Sequence, residues 1–261
     1  MATTYGIRDL YGGAMTVELP VDLIDSSDLR QIPDHQEVFL SPTTLTSLIF
    51  EINDYADGGH LDYPTTTTTT TTRPDGTTTT TTTTVVNGTS TSVSVPASIP
   101  VSGDQAETET QTAQNDAEAA KFHFTDVISP PDTLASPLPT PQRVTLQRPS
   151  LAAYPAYIVT GNIRSHDQSR RAEPPTAATA TAATSASLSS STANQLQSLV
   201  HQIQLLIRME DYATDLCVRV NVPLKELVDN NEVAAEAAFA RDLIASVVAT
   251  LDVVDFGLFG N

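Results

Sequence analysis

The chain is predicted to fold as an α+β sandwich: an antiparallel sheet covered by helices. Three observations carry that prediction. Met15, Val17 and Leu19 alternate with Thr16 and Glu18, the period of a half-buried strand. Two longer alternating runs, 199–208 and 215–223, are separated only by a turn at 210–214, which suits antiparallel pairing of half-buried strands. From Glu232 to Thr250 the apolar period changes. Phe239, Leu243, Val247 and Leu251 recur every four residues, and Ile244 and Val248 widen the stripe into the apolar face of a helix.

The remaining elements follow in chain order. Gly12-Gly13 reads as a tight turn before the Met15–Leu19 strand, which Pro20 ends. Asp25 to Leu29 is a turn or a short helical segment. Glu37 to Leu40 is a second short strand, and Leu48, Phe50 and Ile52 alternate with Ile49 and Glu51 in a third. From Ala56 the pattern stops. Two octathreonine tracts, Thr65–Thr72 and Thr77–Thr84, flank Arg73-Pro74-Asp75-Gly76, and Ser, Thr, Val and Pro continue to Gly103. A polar tract without an apolar face is expected to be a disordered loop, and long surface insertions add little closure entropy.

Order is expected to return near Ala117, where Ala117, Ala120 and Lys121 fit a short helix anchored by Phe122, Phe124 and Val127. Residues 129–141 are proline-rich, and Tyr157 to Ile163 is a strand. A second disordered insertion, rich in Ala, Thr and Ser, spans about 165–195. In the strand after it, Leu199, His201, Ile203, Leu205 and Ile207 share one face, opposite Gln202, Gln204 and Arg208. The next strand sets Leu216, Val218, Val220 and Val222 against Cys217, Arg219 and Asn221. Asp229, Asn230 and Asn231 are candidate caps for the last helix, and the closing VVDFGLFG is expected to pack back on the sheet.

The composition points to one domain over 1–261, with insertions at about 56–115 and 165–195. Setting those aside leaves about 170 residues, enough for a single core. Thirteen basic against thirty-one acidic residues give a net charge of −18. Such a polyanion repels nucleic acid and anionic membrane and attracts a basic partner. Cys217 is the only cysteine, so an intrachain disulfide is impossible, which suits a reducing compartment. The first residues, MATTYGIRDLYGG, lack the apolar core of a secretory signal, and no run approaches a membrane span. A soluble intracellular monomer is the expectation.

Asp22, Asp25, Asp28, Asp34 and Glu37 crowd one short stretch, with Arg30 among them. Asp25 is followed by Ser26, Ser27 and Asp28, and aspartates in such turns commonly bond backbone amides, a purely structural role for Asp25 and Asp28, one of which could also pair with Arg30. Asp34 and Glu37 lead into a strand and are the freer pair. Paired carboxylates with His35, His60 or His123 would also suit acid–base or metal-assisted hydrolysis, but the spacings match no ligand motif. Gly-rich phosphate loop, nucleophile elbow and cysteine cluster are all missing, so no cofactor and no metal is expected. His123 and Cys217 are expected to be packed residues.

Leu10 with Tyr11-Gly12-Gly13-Ala14, Ile24-Asp25-Ser26-Ser27-Asp28-Leu29-Arg30 and Pro33-Asp34-His35-Gln36-Glu37-Val38-Phe39 together resemble the N-terminal signature of the Ran guanine-nucleotide release factors. Ser47–Glu51, Lys121–Val127, Thr214–Leu216, Asn221–Leu224 and Asp255–Gly260 extend the likeness over most of the chain outside the insertions. The resemblance implies an α/β/α sandwich around a central antiparallel sheet, similar to PsbP. It implies binding to the small GTPase Ran and promotion of nucleotide release in support of nuclear import, in nucleus and cytoplasm, alongside other nuclear transport factors. In that family the acidic residues matching Asp34 and Glu37 are implicated in Ran binding. Asp25, Asp28 and Arg30 join them here by charge and proximity. The alternatives are a PsbP-like binding module without Ran activity and a carboxylate-based hydrolase.

Overall fold

The computed structural model describes residues 3–56, 65–72, 78–86, 89–97, 104–165, 198–224, 227 and 230–260. Its centre is an eight-stranded antiparallel sheet. The strands are β3 (Ile24–Asp25), β4 (Gln36–Leu40), β5 (Ser47–Asp54), β9 (Thr133–Leu134), β10 (Gln142–Val144), β11 (Ala156–Ser165), β12 (Ser198–Met209) and β13 (Thr214–Pro223). The order across the sheet is β10-β11-β12-β13-β5-β4-β3, with β9 on the end of β11. The two strongest sequence strands, β12 and β13, therefore lie in the middle, paired from Val200↔Pro223 to Met209↔Thr214.

One face carries the main core. It meets helix α2 (Asn230–Thr250) and a small sheet of β1 (Tyr5–Leu10), β2 (Met15–Pro20) and β14 (Asp252–Val253). Leu243, Ile244 and Val247 of α2 and Met15, Val17 and Leu19 of β2 close on Leu205, Ile207, Val218 and Val220. Each such side chain contributes about 1.5–3 kcal/mol by leaving water. The tail turns back as expected, Phe256 stacking on Tyr212 with ring centroids 5.1 Å apart. Strand β1 is not apparent in the sequence, because Gly6, Arg8 and Asp9 break its alternation. Asn230 and Asn231 belong to the first turn of α2 itself, and Asp229 lies outside the described residues.

The other face lies under helix α1 (Asp104–Asp126). This corrects the expectation that β12 and β13 are half-buried. Gln202, Gln204, Arg208, Asp215 and Arg219 are all at most 4% exposed. Ala119, Ala120 and Phe124 of α1 pack on Tyr157, Val159, Leu206 and Cys217. Gly161 permits that approach: a Cβ there would stand 2.7 Å from Leu138 Cδ2 and 2.9 Å from Phe124 Cζ. Burial raises the Cys217 thiol to about 12, which leaves it a packed, protonated residue.

Two expectations about the insertions change. Thr65–Thr72, Thr78–Val86 and Thr89–Ala97 form an antiparallel three-stranded sheet, β6-β7-β8, rather than a disordered loop. Threonine is β-branched and its cross-strand pairs stabilise a ladder even without an apolar stripe. Helix α1 also begins well before Ala117, because the Gln, Glu and Ala of 104–116 are compatible with a helix propagated from the packed end. The expected insertion at 165–195 lies, from residue 166 on, outside the described residues.

Most of the polar residues under α1 bond one another, although Gln202 Nε2, Arg208 Nε and Asp215 Oδ1 have no hydrogen-bond partner among the described residues. Asp215 Oδ2 accepts from Ala56 N–H at 2.9 Å and Arg208 Nη1 at 3.1 Å, and lies 2.7 Å from His123 Nε2. Arg208 also faces Asp116 at 3.3 Å and lies over the Tyr55 ring. Arg219 donates to Gln204 Oε1, to the Glu51 carboxylate and to the His123 carbonyl. Removing one partner of such a set strands the others. Asp215→Ala should lower the unfolding free energy in urea by about 3–5 kcal/mol. The pH response follows from Glu51. Burial pushes its carboxyl up, but the Arg219 charge and hydrogen bonds outweigh that and hold it below its ordinary 4.5. A lowered acid stabilises the fold above that ordinary value and loses its contribution as pH falls through the folded-state value. Asp116, raised by burial, acts with the opposite sign. Glu51→Gln should therefore flatten the loss of stability below pH 4.5 in urea titrations across the acid range.

Candidate partner-binding edge

The acidic stretch forms the free end of the central sheet. Strand β3 pairs only with Phe39 and Leu40 of β4, so Gln36, Glu37 and Val38 have no strand on their outer side among the described residues. Asp25 caps the short 3-10 turn Ser26–Asp28, its Oδ1 accepting from Ser27 N–H at 2.8 Å and Ser27 Oγ–H at 2.7 Å. Leu29 and Arg30 then donate back to the Ser26 carbonyl. A second turn follows, closed by Gln36 N–H on the Pro33 carbonyl at 2.9 Å, and it delivers Asp34 and His35 to solvent.

Glu37 is held differently. Its Oε1 accepts from the backbone N–H of Tyr11 at 2.7 Å, and the Tyr11 hydroxyl donates to the His35 carbonyl at 3.2 Å. Tyr11 thus grips the loop at two points. To present its N–H this way the chain turns left-handed over three residues, with φ of +49° at Tyr11, +66° at Gly12 and +94° at Gly13. Burial first, then the neighbouring Glu37 and Glu51 charges, raise the Tyr11 phenol, so it remains a protonated donor. Behind the loop, Gln36 Nε2 donates to Glu51 Oε1 at 2.5 Å, which joins the edge to the Arg219 pair under α1.

These groups surround an open concavity of about 550 Å³. Arg30, Asp34 and Glu37 all line it, with Tyr11, Ser27 and Leu258. Asp25 and Asp28 do not; Asp25 is a turn cap, and Asp28 is exposed on the turn. Arg30 is exposed and makes no ion pair with a carboxylate among the described residues. The site is therefore a carboxylate-bearing bowl with Arg30, unpaired with a carboxylate among the described residues, on its rim. Sequence reasoning missed Tyr11 and Leu258. The Gly12-Gly13 pair marked the turn, but nothing in the sequence connected it to Glu37. His123 and Cys217 are core residues remote from such chemistry, His123 on Asp215 and Cys217 buried.

The pattern of the family described as Ran-interacting Mog1 protein matches residues 8–223. The chain belongs to the Mog1 family. A probable Ran guanine nucleotide release factor from Dictyostelium discoideum is 42% identical over 57 residues, 22% of this chain and 29% of that protein. The Homo sapiens Ran guanine nucleotide release factor is 56% identical over 43 residues, 16% of this chain and 23% of that one. The nuclear import protein mog1 of Schizosaccharomyces pombe is 41% identical over 59 residues, 21% of this chain and 31% of that one. The alignments thus span about a quarter to a third of these curated relatives. The crystal structure of the Saccharomyces cerevisiae Ran-binding protein Mog1p aligns over 99% of this chain and all of that one, at 19% identity and a TM-score of 0.47.

In this Mog1-family chain the left-handed turn sets the geometry of Glu37. An alanine at φ +94° pays a steric cost that glycine avoids. Gly13→Ala should therefore reduce the unfolding free energy by about 1–2 kcal/mol in urea titrations.

Proposed function

We propose that the chain binds the small GTPase Ran and promotes release of its bound guanine nucleotide, in support of nuclear protein import. Family membership and the names of its relatives support this reading. The observation that carries it is the placement of Asp34 and Glu37 together on an open bowl at the free sheet edge. In this reading Asp34 and Glu37 make the decisive contacts. Arg30 orders the rim, and Asp25 and Asp28 shape the turn that presents it.

A GTPase holds its nucleotide through a phosphate-cradling loop, a lysine and Mg²⁺. A release factor must bind the emptied state more tightly than the loaded one, since only differential affinity moves the equilibrium. Carboxylates provide that difference. They pair with basic side chains freed from phosphate, and they repel a neighbouring polyphosphate. Asp34 is exposed and free to make such a pair. Glu37 lines the bowl and is anchored through one oxygen by Tyr11, which leaves the other for a partner. The protein acts by binding and works in nucleus and cytoplasm. The charge of −18 speeds encounter with a basic face.

Stopped-flow release of labelled nucleotide from Ran tests this. Asp34→Ala and Glu37→Gln should each slow stimulated release about 10- to 100-fold, the worth of a charge-assisted hydrogen bond. Glu37→Gln is preferred to alanine because an amide oxygen still accepts from Tyr11 N–H and preserves the loop. Association should also slow as salt rises. Unchanged release rates in a folded double variant would remove both residues from the site.

A further inference from the structure

The threonine sheet has two outer edges, and they differ in kind. Strand β8 (Thr89–Ala97) contains Pro96, which has no N–H to offer a neighbour and blunts that edge. Strand β6 (Thr65–Thr72) is eight consecutive threonines, without proline, glycine or a charged residue. It pairs only with β7, so no strand lies on its outer side among the described residues. Alternate residues of β6 therefore turn their backbone N–H and C=O groups outward, away from β7. Edge strands are ordinarily kept from pairing by lysine, proline, a bulge or shortness. The β6 edge has none of these, and its unbroken register with β7, from Thr65↔Val85 to Thr72↔Thr78, leaves no bulge to turn it aside. A segment of high β-propensity without charge or proline is the kind that pairs with its own sequence.

The sheet itself shows what fits that edge. From Thr66↔Thr84 to Thr72↔Thr78, β6 is already paired antiparallel with another threonine tract. The β6 strand of a second copy presents the same residue type at every position. A homopolymeric strand also fits in any register, so no single alignment has to be found. Two identical strands paired antiparallel are related by a two-fold axis, a contact that closes at the dimer. We propose that the β6 edge is a self-association surface, which pairs with β6 of a second copy of this chain and continues the threonine sheet across both. The monomer expected from the sequence is then the dilute state. Charge sets the conditions. The three strands of this sheet carry no charged residue, whereas the whole chain carries −18. Two copies repel through the rest of the chain, and salt screens that repulsion. The dimer therefore strengthens as salt rises. Ran association has the opposite sign, because there salt screens an attraction. The two contacts are separable, since none of the residues assigned to Ran binding lies in this sheet.

Sedimentation velocity on the full chain, without Ran, tests this across concentration and salt. Wild type should pass from monomer to dimer as concentration rises. Its dimer dissociation constant should fall about 3- to 10-fold between about 0.05 M and about 0.5 M NaCl. In full overlap Thr68 of one copy lies opposite Thr69 of the other. Thr68→Lys with Thr69→Lys therefore sets like charges across the seam and should raise that constant at least about 10-fold. These lysines lower the net negative charge, so the loss cannot come from overall repulsion. Thr91→Lys with Ser92→Lys makes the same change on β8 and should leave the dimer as strong as in wild type or stronger. Hydrogen exchange on wild type needs no variant to fold: β6 amides should gain protection with concentration, and β8 amides should not. A chain that stays monomeric up to about 1 mM in high salt overturns the proposal. So does an equal loss of dimer in the β8 variant, a dimer that weakens as salt rises, or β6 protection that is independent of concentration. Open-ended assembly past the dimer also overturns it, because a two-fold contact closes.

Discussion

Asp215 is fully buried, and its Oδ2 collects Arg208, His123 and the Ala56 amide within 3.1 Å. That convergence is what allows helix α1 to lie on the sheet at all. The polar face of β12 and β13 would be ruinous to bury if its charges were unmatched. Matched, it becomes a bonded layer that fixes the helix at His123 and at the carbonyls of Ala120 and His123. The opposite face needs no such device, because Leu205, Ile207, Val218 and Val220 meet α2 by apolar packing alone.

The same polar layer reaches the candidate site. Arg219 holds Glu51, Glu51 accepts from Gln36, and Gln36 begins the strand that carries Glu37. From the other side, the left-handed turn at Tyr11 clamps Glu37 and the His35 carbonyl. The edge of an outer strand is ordinarily free to move. Here it is braced from both faces of the sheet, which lowers the ordering cost a partner would otherwise meet. Asp34, beyond both braces, keeps the freedom to adapt.

Much of this was legible in advance. Residues with strict alternation, Met15–Leu19, Leu48–Ile52 and Asp215–Pro223, are strands, and the four-residue apolar repeat of 239–251 is the core face of α2. Asp25 was legible as a turn cap because serines follow it, and the sequence placed Asp34 just ahead of a short strand and Glu37 within it. What failed did so for identifiable reasons. Strand β1 has too little alternation to show, and it exists because β2 offers it a ladder from Tyr5↔Pro20 to Leu10↔Met15. The threonine tracts have no apolar face, yet their backbones pair in register from Thr65↔Val85 to Thr72↔Thr78, which suits the extended preference of β-branched residues.

The sequence by itself determined which residues face which way, since side-chain direction follows from backbone period alone. It also determined the charge, the acidic stretch and the family signature. Only the tertiary structure decided that the polar face of β12–β13 is inside, that Tyr11 holds Glu37 across 26 positions of chain, and that Gln202 Nε2 is left without an acceptor among the described residues. Each of these depends on which elements lie against one another. Periodicity describes one segment at a time, whereas burial, ion pairing and an unmet hydrogen bond belong to pairs of segments distant in the chain.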